Sequence, residues 1–367
     1  LLVGAGLLIR SFVTLLEVDP GFRPEQAATW SIQPARLPAG APEKTAYYRS
    51  LVDTVAALPG VESAGLTDAL PLGRNRGWSI RAKGVTYRQG EVPDALPRIV
   101  DETYLQTMKI PLREGRLLGR DDVTRKTRVA VVNETLAKRL WPGESAVGKI
   151  FINDGEVEVV GVVGDVRHAG LDQATDPEMY LLGAQFGWST EDLVVRTKAT
   201  LDTLVPTVRS ALQQFDPGMP VGNFRTLGEI IDRTLSPKRL ITMLLGFFSI
   251  LAMILAAIGI YGVIAYSVSQ RISELGIRLA LGATPRNILG LVIVQGMKPV
   301  VVGLSNGLPL ALAATRAIRS LLFGVNAADP VTFILNAVVV IAIALLACWL
   351  PARRASRVAP MIALRNE

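Results

Sequence analysis

The sequence predicts a membrane protein: an α-helical bundle of one truncated and three full spans, carrying a mixed α/β domain of two lobes outside the membrane. Three observations lead there. Residues 240–270 contain no charged side chain, and about 20 apolar residues are enough to cross a bilayer as a helix. Residues 299–315, in a pattern that reaches back to Asn287, and residues 330–350 are likewise uncharged. Nearly all the polar sequence falls between the apolar opening of the chain and the stretch that begins at Leu240.

Composition agrees with this division. Half of the 367 residues are hydrophobic and the formal net charge is +7. That charge does not point to nucleic acid, because the arginines flank the apolar stretches and no run interleaves basic with aromatic residues. The single cysteine, Cys348, lies inside the last apolar stretch, so no disulfide can form within the chain and cysteine usage says nothing about redox compartment. The chain opens Leu1-Leu2-Val3 without the basic leader and small-residue cleavage site of a signal peptide. The expectation is that its start falls inside a membrane helix.

Taken in order, residues 1–18 read as the end of that helix, uncharged up to Leu16 apart from Arg10 and broken by Asp19-Pro20-Gly21. Residues 22–235 read as the outer domain, and two segments in it look alike. The first has a strand over residues 28–33 and a helix from about Lys44 that puts Tyr48, Leu51, Val52, Val55 and Leu58 on one face. Pro59-Gly60 and a strand near Val61 follow. The second has a strand over residues 193–196 and a helix with Leu201, Leu204, Val205, Val208 and Leu212 on one face. Asp216-Pro217-Gly218 ends it and Val221 opens a strand. Two such units are expected to pack as one mixed sheet with helices on one face. Residues 98–188, with strands over 129–132 and 157–163 and a helix over 134–141, would form an inserted lobe. The alternative is one continuous domain.

Beyond it, residues 236–270, 287–322 and 330–350 read as spans, 271–286 as the loop between the first two, and 351–367 as a tail. Basic residues orient them. Arg271, Arg278 and Arg286 occupy the loop, and Arg353, Arg354, Arg357 and Arg365 the tail, which places both in the cytoplasm. The turn over residues 323–329 has no Lys or Arg and lies outside, with the large domain; Arg316 and Arg319 run against the rule. Lys298, inside a span, is expected to snorkel to the inner surface or to pair within a bundle. The stretch that includes residues 240–270 is long enough to continue outward as a stalk.

The most specific motif is Gln270-Arg271-Ile272-Ser273-Glu274-Leu275-Gly276-Ile277-Arg278-Leu279-Ala280-Leu281-Gly282-Ala283. It resembles the cytoplasmic segment of MacB/FtsX-type (type VII) ABC transporter permeases. Pro351-Ala352-Arg353-Arg354-Ala355 resembles that family's end, and Val131-Val132-Asn133-Glu134-Thr135-Leu136-Ala137 with Val160-Gly161-Val162-Val163-Gly164-Asp165-Val166 resembles its extracytoplasmic core domain. The opening Leu2-Val3-Gly4-Ala5-Gly6-Leu7-Leu8, with Asp19-Pro20-Gly21-Phe22, resembles the second half of duplicated ADOP-type permeases. The resemblance implies a multi-pass protein of a bacterial inner membrane with a MacB-like periplasmic core domain. It implies as partners a separate P-loop ABC ATPase, a second permease half or protomer, the lipid bilayer and a periplasmic adaptor. It implies mechanotransmission for efflux of antimicrobial, peptide or lipid-like substrates. The alternatives are an FtsX-like activator of a cell-wall hydrolase and a lipoprotein-release permease.

The residues themselves fit coupling to an ATPase. Ile272, Leu275 and Leu279 recur three and four apart, as on one helix face, and Arg271, Glu274 and Arg278 alternate in sign at pairing distance. Gly276 permits close approach of another backbone. Arg271, Glu274, Leu275, Gly276, Arg278 and Leu279 are therefore the candidate coupling residues; the alternative is an ordinary turn that orients the spans. No G-x-x-x-x-G-K-[ST] occurs, so no phosphate-cradling loop is expected and the chain reads as no enzyme, with no cofactor and no metal. His168 is the only histidine, and a polar loop explains it better than a metal site with Asp172 and Asp176. Asp121-Asp122 and Glu191-Asp192 are adjacent, so each pair points apart. Trp78, Trp141 and Trp188 read as packing rather than as a binding cleft.

Topology is directly testable. In a Cys348→Ala background, Ser63→Cys should react with a membrane-impermeant thiol reagent in intact cells, and Ser356→Cys only after permeabilisation. The reverse pattern overturns the orientation.

Overall fold

The computed structural model describes residues 1–355 except 74, 89, 190, 191, 272, 273, 276, 279, 280, 282, 318, 320 and 321, and describes only the backbone of Asp202, Asn223 and Ala355. In chain order the elements are α1 (Leu2–Leu16), β1 (Ala27–Ile32), α2 (Ala41–Ala56), β2 (Val61–Thr67), β3 (Trp78–Ser79), β4 (Arg81–Ala82), β5 (Asp94–Val100) and α3 (Tyr104–Thr107). Then come β6 (Leu112–Gly115), β7 (Arg128–Asn133), α4 (Glu134–Leu140), β8 (Ile150–Ile152), β9 (Glu156–Val163), β10 (Glu178–Leu182) and α5 (Gly183–Phe186). They are followed by β11 (Asp192–Thr197), α6 (Leu201–Phe215), β12 (Val221–Thr226), α7 (Leu227–Gln270), α8 (Pro285–Ala317) and α9 (Pro330–Ala355). The chain divides into two compact units, Val18–Leu235 and, separately, Leu1–Glu17 with the residues from Ser236 onward.

In the helical unit, α7, α8 and α9 are each long and apolar enough to cross a membrane, and α1 is a shorter apolar helix. α7 has 44 residues, about 66 Å at the α-helical rise, against roughly 30 Å of hydrocarbon. It begins nine residues before the expected start of the span. The reason is a capping box: Thr226 Oγ1 accepts from Glu229 N (3.0 Å), and Glu229 Oε2 accepts from Thr226 N (3.2 Å). α1 is tied to the N-terminal end of α9. Arg10 pairs with Asp329, whose Oδ2 also caps α9 through Thr332 N, and Ser11 Oγ accepts from Phe323 N. Lys298 is exposed on α8.

In the other unit, the helix faces read from periodicity are the buried ones. Tyr48, Leu51, Val52 and Val55 of α2 pack with Leu204, Val208 and Leu212 of α6 against Trp30, Ile32, Leu66, Leu193 and Val195. β1, β2, β11 and β12 form an antiparallel sheet in the order β12-β1-β11-β2, the interleaved arrangement of two split β-α-β units. This sheet does not end at β2. It continues β5-β10-β7-β9-β8-β4 as one hydrogen-bonded surface, with β5–β10 and β7–β9 parallel.

The inserted lobe therefore starts earlier than residue 98. β4 pairs with β8, and β5 runs from Asp94 along β10. Gly84, Gly90, Pro93 and Pro97 punctuate this stretch. Pro97 is tolerated within β5 because odd residues there, as Ile99 shows, aim their N–H toward the β2 side. On that side β5 pairs with β3 only at residues 94 and 95 and with β2 only at Val100. The donor that proline lacks would have had no partner.

Three clusters fill the unit. Strands of the first lobe send alternate residues to the α2–α6 core and to a second core: Leu193 and Val195 to one, Val194 to the other. Strands of the inserted lobe do likewise. Ala130 and Val132 meet Leu136 and Leu140 of α4, while Val129 and Val131 face the shared side. The shared cluster thus lies on one face across both lobes, covered by Phe22, Tyr104, Leu105, Met108 and Leu227. The two lobe-specific clusters occupy the opposite face.

The lobes meet at a seam with one ladder pair, Thr67 with Val100. Two buried aspartates extend it reciprocally. Asp68 N donates to Ile99 O (3.0 Å) and its Oδ1 accepts from Ile99 N (2.9 Å); Asp101 N donates to Leu66 O (3.2 Å) and its Oδ1 accepts from Leu66 N (2.8 Å). Burial pushes Asp101 up to about 7, although Thr103 and Leu66 N–H favour its carboxylate. Burial also raises Asp68, against the pull of Arg76.

Beside the seam, Glu178 is the hub of a charged cluster. Its Oε1 is 2.7 Å from Arg98 Nε and 2.6 Å from His168 Nε2, and its Oε2 accepts from Tyr180 Oη (2.7 Å). Burial alone would raise Glu178, but His168 and Arg98 outweigh it and hold it at about 2. His168 is therefore no solvated loop residue; it is 4 % exposed.

The seam predicts a pH dependence. A carboxyl whose folded pKa lies above its unfolded value, about 3.9, contributes stability that is full below the unfolded value and is lost as pH rises through the folded one. Between about pH 4 and pH 7 the melting temperature of the α/β unit, followed by circular dichroism, should fall as pH rises. Asp101→Asn, which keeps an acceptor for Leu66 N, should flatten that slope. Glu178 acts in the opposite direction and only at lower pH, so it does not mask the effect.

Candidate functional site

The candidate coupling residues occupy the segment between α7 and α8. Among its described residues two backbone bonds have the i to i−4 spacing of a helix: Leu275 N donates to Arg271 O and Leu281 N to Ile277 O, both at 2.9 Å. Thr284 stops the segment and starts α8, its Oγ1 accepting from Asn287 N (3.4 Å) with Pro285 in the first turn. Gly276 and Leu279, like Ile272, lie outside the described residues.

The remaining candidates do not share one face. Leu275 is buried among Ile264 of α7, Ile288 and Val292 of α8, and Cys348 and Ala352 of α9. It anchors the segment to its own bundle and is not offered to a partner, which corrects its place on the expected docking face. Gly296 makes this convergence possible: a Cβ there would lie 2.6 Å from Ile264 Cδ1 and 3.0 Å from Cys348 Sγ. Arg271 stays at the base, its Nη1 3.5 Å from Gln295 Oε1. Both line a small cavity of about 90 Å³ with Glu274 and Ser267.

Glu274 and Arg278 pair across one helical turn at 2.6 Å and are half exposed, so the pair adds only a few tenths of a kcal/mol and can be exchanged for a partner's charges. Ile277 is 46 % and Leu281 83 % exposed. Positions 274, 277, 278 and 281 follow the i, i+3, i+4, i+7 spacing of one helix face. The outward stripe therefore alternates a charged and an apolar residue. Sequence reasoning named its two charges but missed Ile277 and Leu281; spacing alone gave both faces, and only packing tells which is inside.

Elsewhere, the aromatic residues serve packing. Trp141 and Trp78 belong to the inserted lobe's cluster. Trp188 stacks on Tyr48, with ring centroids 4.8 Å apart, and donates to Thr45 Oγ1. Asp122 takes both nitrogens of Arg116 while Asp121 faces solvent; Glu191 lies outside the described residues. Among the described residues no three His, Cys, Asp or Glu side chains are grouped to hold a metal ion.

Comparison with known proteins bears on the whole chain. Residues 5–215 match the MacB-like periplasmic core domain, and residues 246–360 the FtsX-like permease C-terminal domain. The chain belongs to the family of FtsX-like permeases with a MacB-like periplasmic core domain. It is similar to the macrolide export ATP-binding/permease protein MacB of Rhodospirillum rubrum, at 28 % identity over 83 % of this chain and 47 % of the relative. It is also similar to that of Azoarcus sp., at 27 % identity over 70 % and 40 %. It thus spans less than half the length of these curated relatives. The crystal structure of the periplasmic region of MacB from Actinobacillus actinomycetemcomitans aligns at 16 % identity and a TM-score of 0.41, over 60 % of this chain and 97 % of that one.

The two faces of the segment predict opposite responses. Leu275→Ala opens a cavity among three helices and should cost about 2–5 kcal/mol, read as a lowered melting temperature of the detergent-solubilised chain. Leu281→Ala, on the exposed stripe, should change stability by no more than about 0.5 kcal/mol.

Proposed function

We propose that this chain is the permease module of an ABC transporter of a bacterial inner membrane, and that it works by mechanotransmission. ATP hydrolysis outside these 367 residues, on a P-loop ATPase, would shift the apolar helices and move the α/β unit on the far side. The chain itself catalyses no reaction in this reading. The observation that carries it is the outward stripe of Glu274, Ile277, Arg278 and Leu281, set on a segment whose inner side is locked by Leu275. A stripe fixed from behind can receive a push and pass it to three helices at once. A stripe on a loose loop would absorb it.

Family membership and the absence of a phosphate-binding loop motif from the sequence support the reading. The curated relatives carry both ATP-binding and permease in their name; here the ATP-binding part must come from elsewhere. A second permease half or protomer, a periplasmic adaptor, and efflux of antimicrobial, peptide or lipid-like substrates complete the proposal.

The test is a charge and polarity reversal on the outward face alone. Glu274→Arg with Leu281→Asp should leave membrane insertion and folding intact. It should weaken co-purification with the cognate ATPase by about tenfold, or about 1.4 kcal/mol, and lower ATP turnover in reconstituted membranes. Unchanged binding and turnover would reduce the segment to a turn that orients the spans.

A further inference from the structure

A polar cavity of about 400 Å³ lies within the α/β unit, away from the segment between α7 and α8. Three stretches distant in sequence, residues 19–23, 109–113 and 164–167, form most of it with Glu134 and Thr175 completing the lining, and backbone hydrogen bonds fix the three to one another. Arg23 N donates to Met108 O (3.1 Å), Arg167 N to Pro20 O (3.0 Å) and Gly164 N to Pro111 O (2.8 Å). The approach is close enough that a Cβ on Gly21, at φ +86°, would lie 2.0 Å from Asp165 O. Lys109 takes a left-handed conformation at φ +54°, an unfavourable one for a side chain other than glycine or asparagine.

Each stretch turns a cation to the cavity: Arg23 from the first, Lys109 and Arg113 from the second, Arg167 from the third. Asp19, Glu134 and Asp165 line the cavity too, so four cations face three carboxylates, and each carboxylate has partners of its own. Asp165 is taken by Thr135 N (2.9 Å), Thr135 Oγ1 (2.7 Å) and Thr175 Oγ1 (3.3 Å). Glu134 is shared between Arg113 and Lys138. Asp19 Oδ1 accepts from Gly21 N in its own turn. Among the described residues no carboxylate pairs with Arg23, or with Arg167, which is half-buried and bonds only to the Gln173 carbonyl. A partly desolvated guanidinium without a counter-charge favours an incoming anion. Lys109 meets Glu62 at 3.2 Å, but both are partly exposed, and such pairs exchange at little cost.

We propose that this cavity binds a phosphate-bearing anion, held by the guanidinium forks of Arg23 and Arg167 with Lys109 beside them. Two forks and an ammonium suit the several oxygens of a phosphate better than the single edge of a carboxylate. The volume exceeds that of inorganic phosphate and leaves room for a polar substituent such as a glycerol headgroup. Two sources share this chemistry: the headgroup of an anionic phospholipid and a soluble phosphate compound.

The test uses the whole chain in neutral detergent and in phosphatidylcholine nanodiscs. Inorganic phosphate is titrated calorimetrically in detergent, and dioctanoyl phosphatidylglycerol is scored in nanodiscs by native mass spectrometry. Wild type should bind at least one of the two probes. Arg23→Gln with Arg167→Gln should weaken that binding by roughly tenfold or more, while Arg120→Gln, an exposed arginine paired with Asp53 in the same unit, should bind like wild type. Phosphatidylglycerol alone identifies the headgroup as the ligand, phosphate alone a soluble anion, and competition between them a site for either. If the double variant misfolds by circular dichroism, Arg23→Gln, whose side chain is exposed, carries the comparison. No binding of either probe by folded wild type, or equal binding by the folded variants and Arg120→Gln, overturns the assignment.

Discussion

The architecture of the α/β unit depends on a seam held by one ladder pair. Without Thr67 opposite Val100, the four strands carrying α2 and α6 and the strands carrying α4 would be two sheets. A single pair is weak in itself. What makes it a junction is that the next residue on each strand is an aspartate that mimics a strand residue twice over. Its N–H meets the opposite carbonyl and its carboxyl oxygen meets the opposite N–H. Side chains thus replace ladder bonds where the two strands diverge. The price is burial of two carboxyls, which is why both are shifted upward.

A charged cluster lies next to the seam. Arg98 of β5 stands on the sheet face beside Glu178 of the paired strand β10, and Asn75 accepts from its Nη2. Breaking such a pair leaves an uncompensated buried charge, an effect of about 3–5 kcal/mol, whereas the intact pair is worth much less relative to apolar replacements. Its service is to specify one arrangement of β5 on β10. Arg98 and Glu178 share a strand face with Val100, Tyr180 and Leu182 of the apolar cluster that spans both lobes. The junction therefore sets a paired charged cluster beside a continuous apolar one on a single face.

Most of this was legible where the physics is local. Uncharged stretches marked the long helices, and 3.6-residue periodicity gave the buried faces of α2 and α6. What could not be read depended on partners distant in sequence. Pro97 hides a strand unless one knows that its missing donor faces an unpaired side. His168 looks like a loop residue until Glu178, ten positions later, closes over it. The early start of α7 was written in the sequence as Thr226 and Glu229 three apart, but polar residues around them made the turn look like the end of the outer domain. For the candidate site, spacing separated the faces of the 271–284 segment, and the burial of Leu275 alone assigned them. The cavity lined by Arg23 and Arg167 left no trace, because most of its walls come from three distant stretches.

The same contrast between inner and outer faces bears on how a push could travel. Leu275 belongs to a cluster drawn from α7, α8 and α9, and at Gly296 a Cβ would crowd Ile264 and Cys348 of that cluster. Packed interfaces of this kind respond as blocks, because gaps of even a fraction of an ångström forfeit contact energy. A displacement of the segment is then carried by the helices together. α7 runs from Leu227 to Gln270 with Pro237 inside it, where the missing N–H interrupts the hydrogen-bond ladder. Where its first turns pack, Leu227 joins the cluster common to both lobes and Ile230 and Ile231 pack against that cluster.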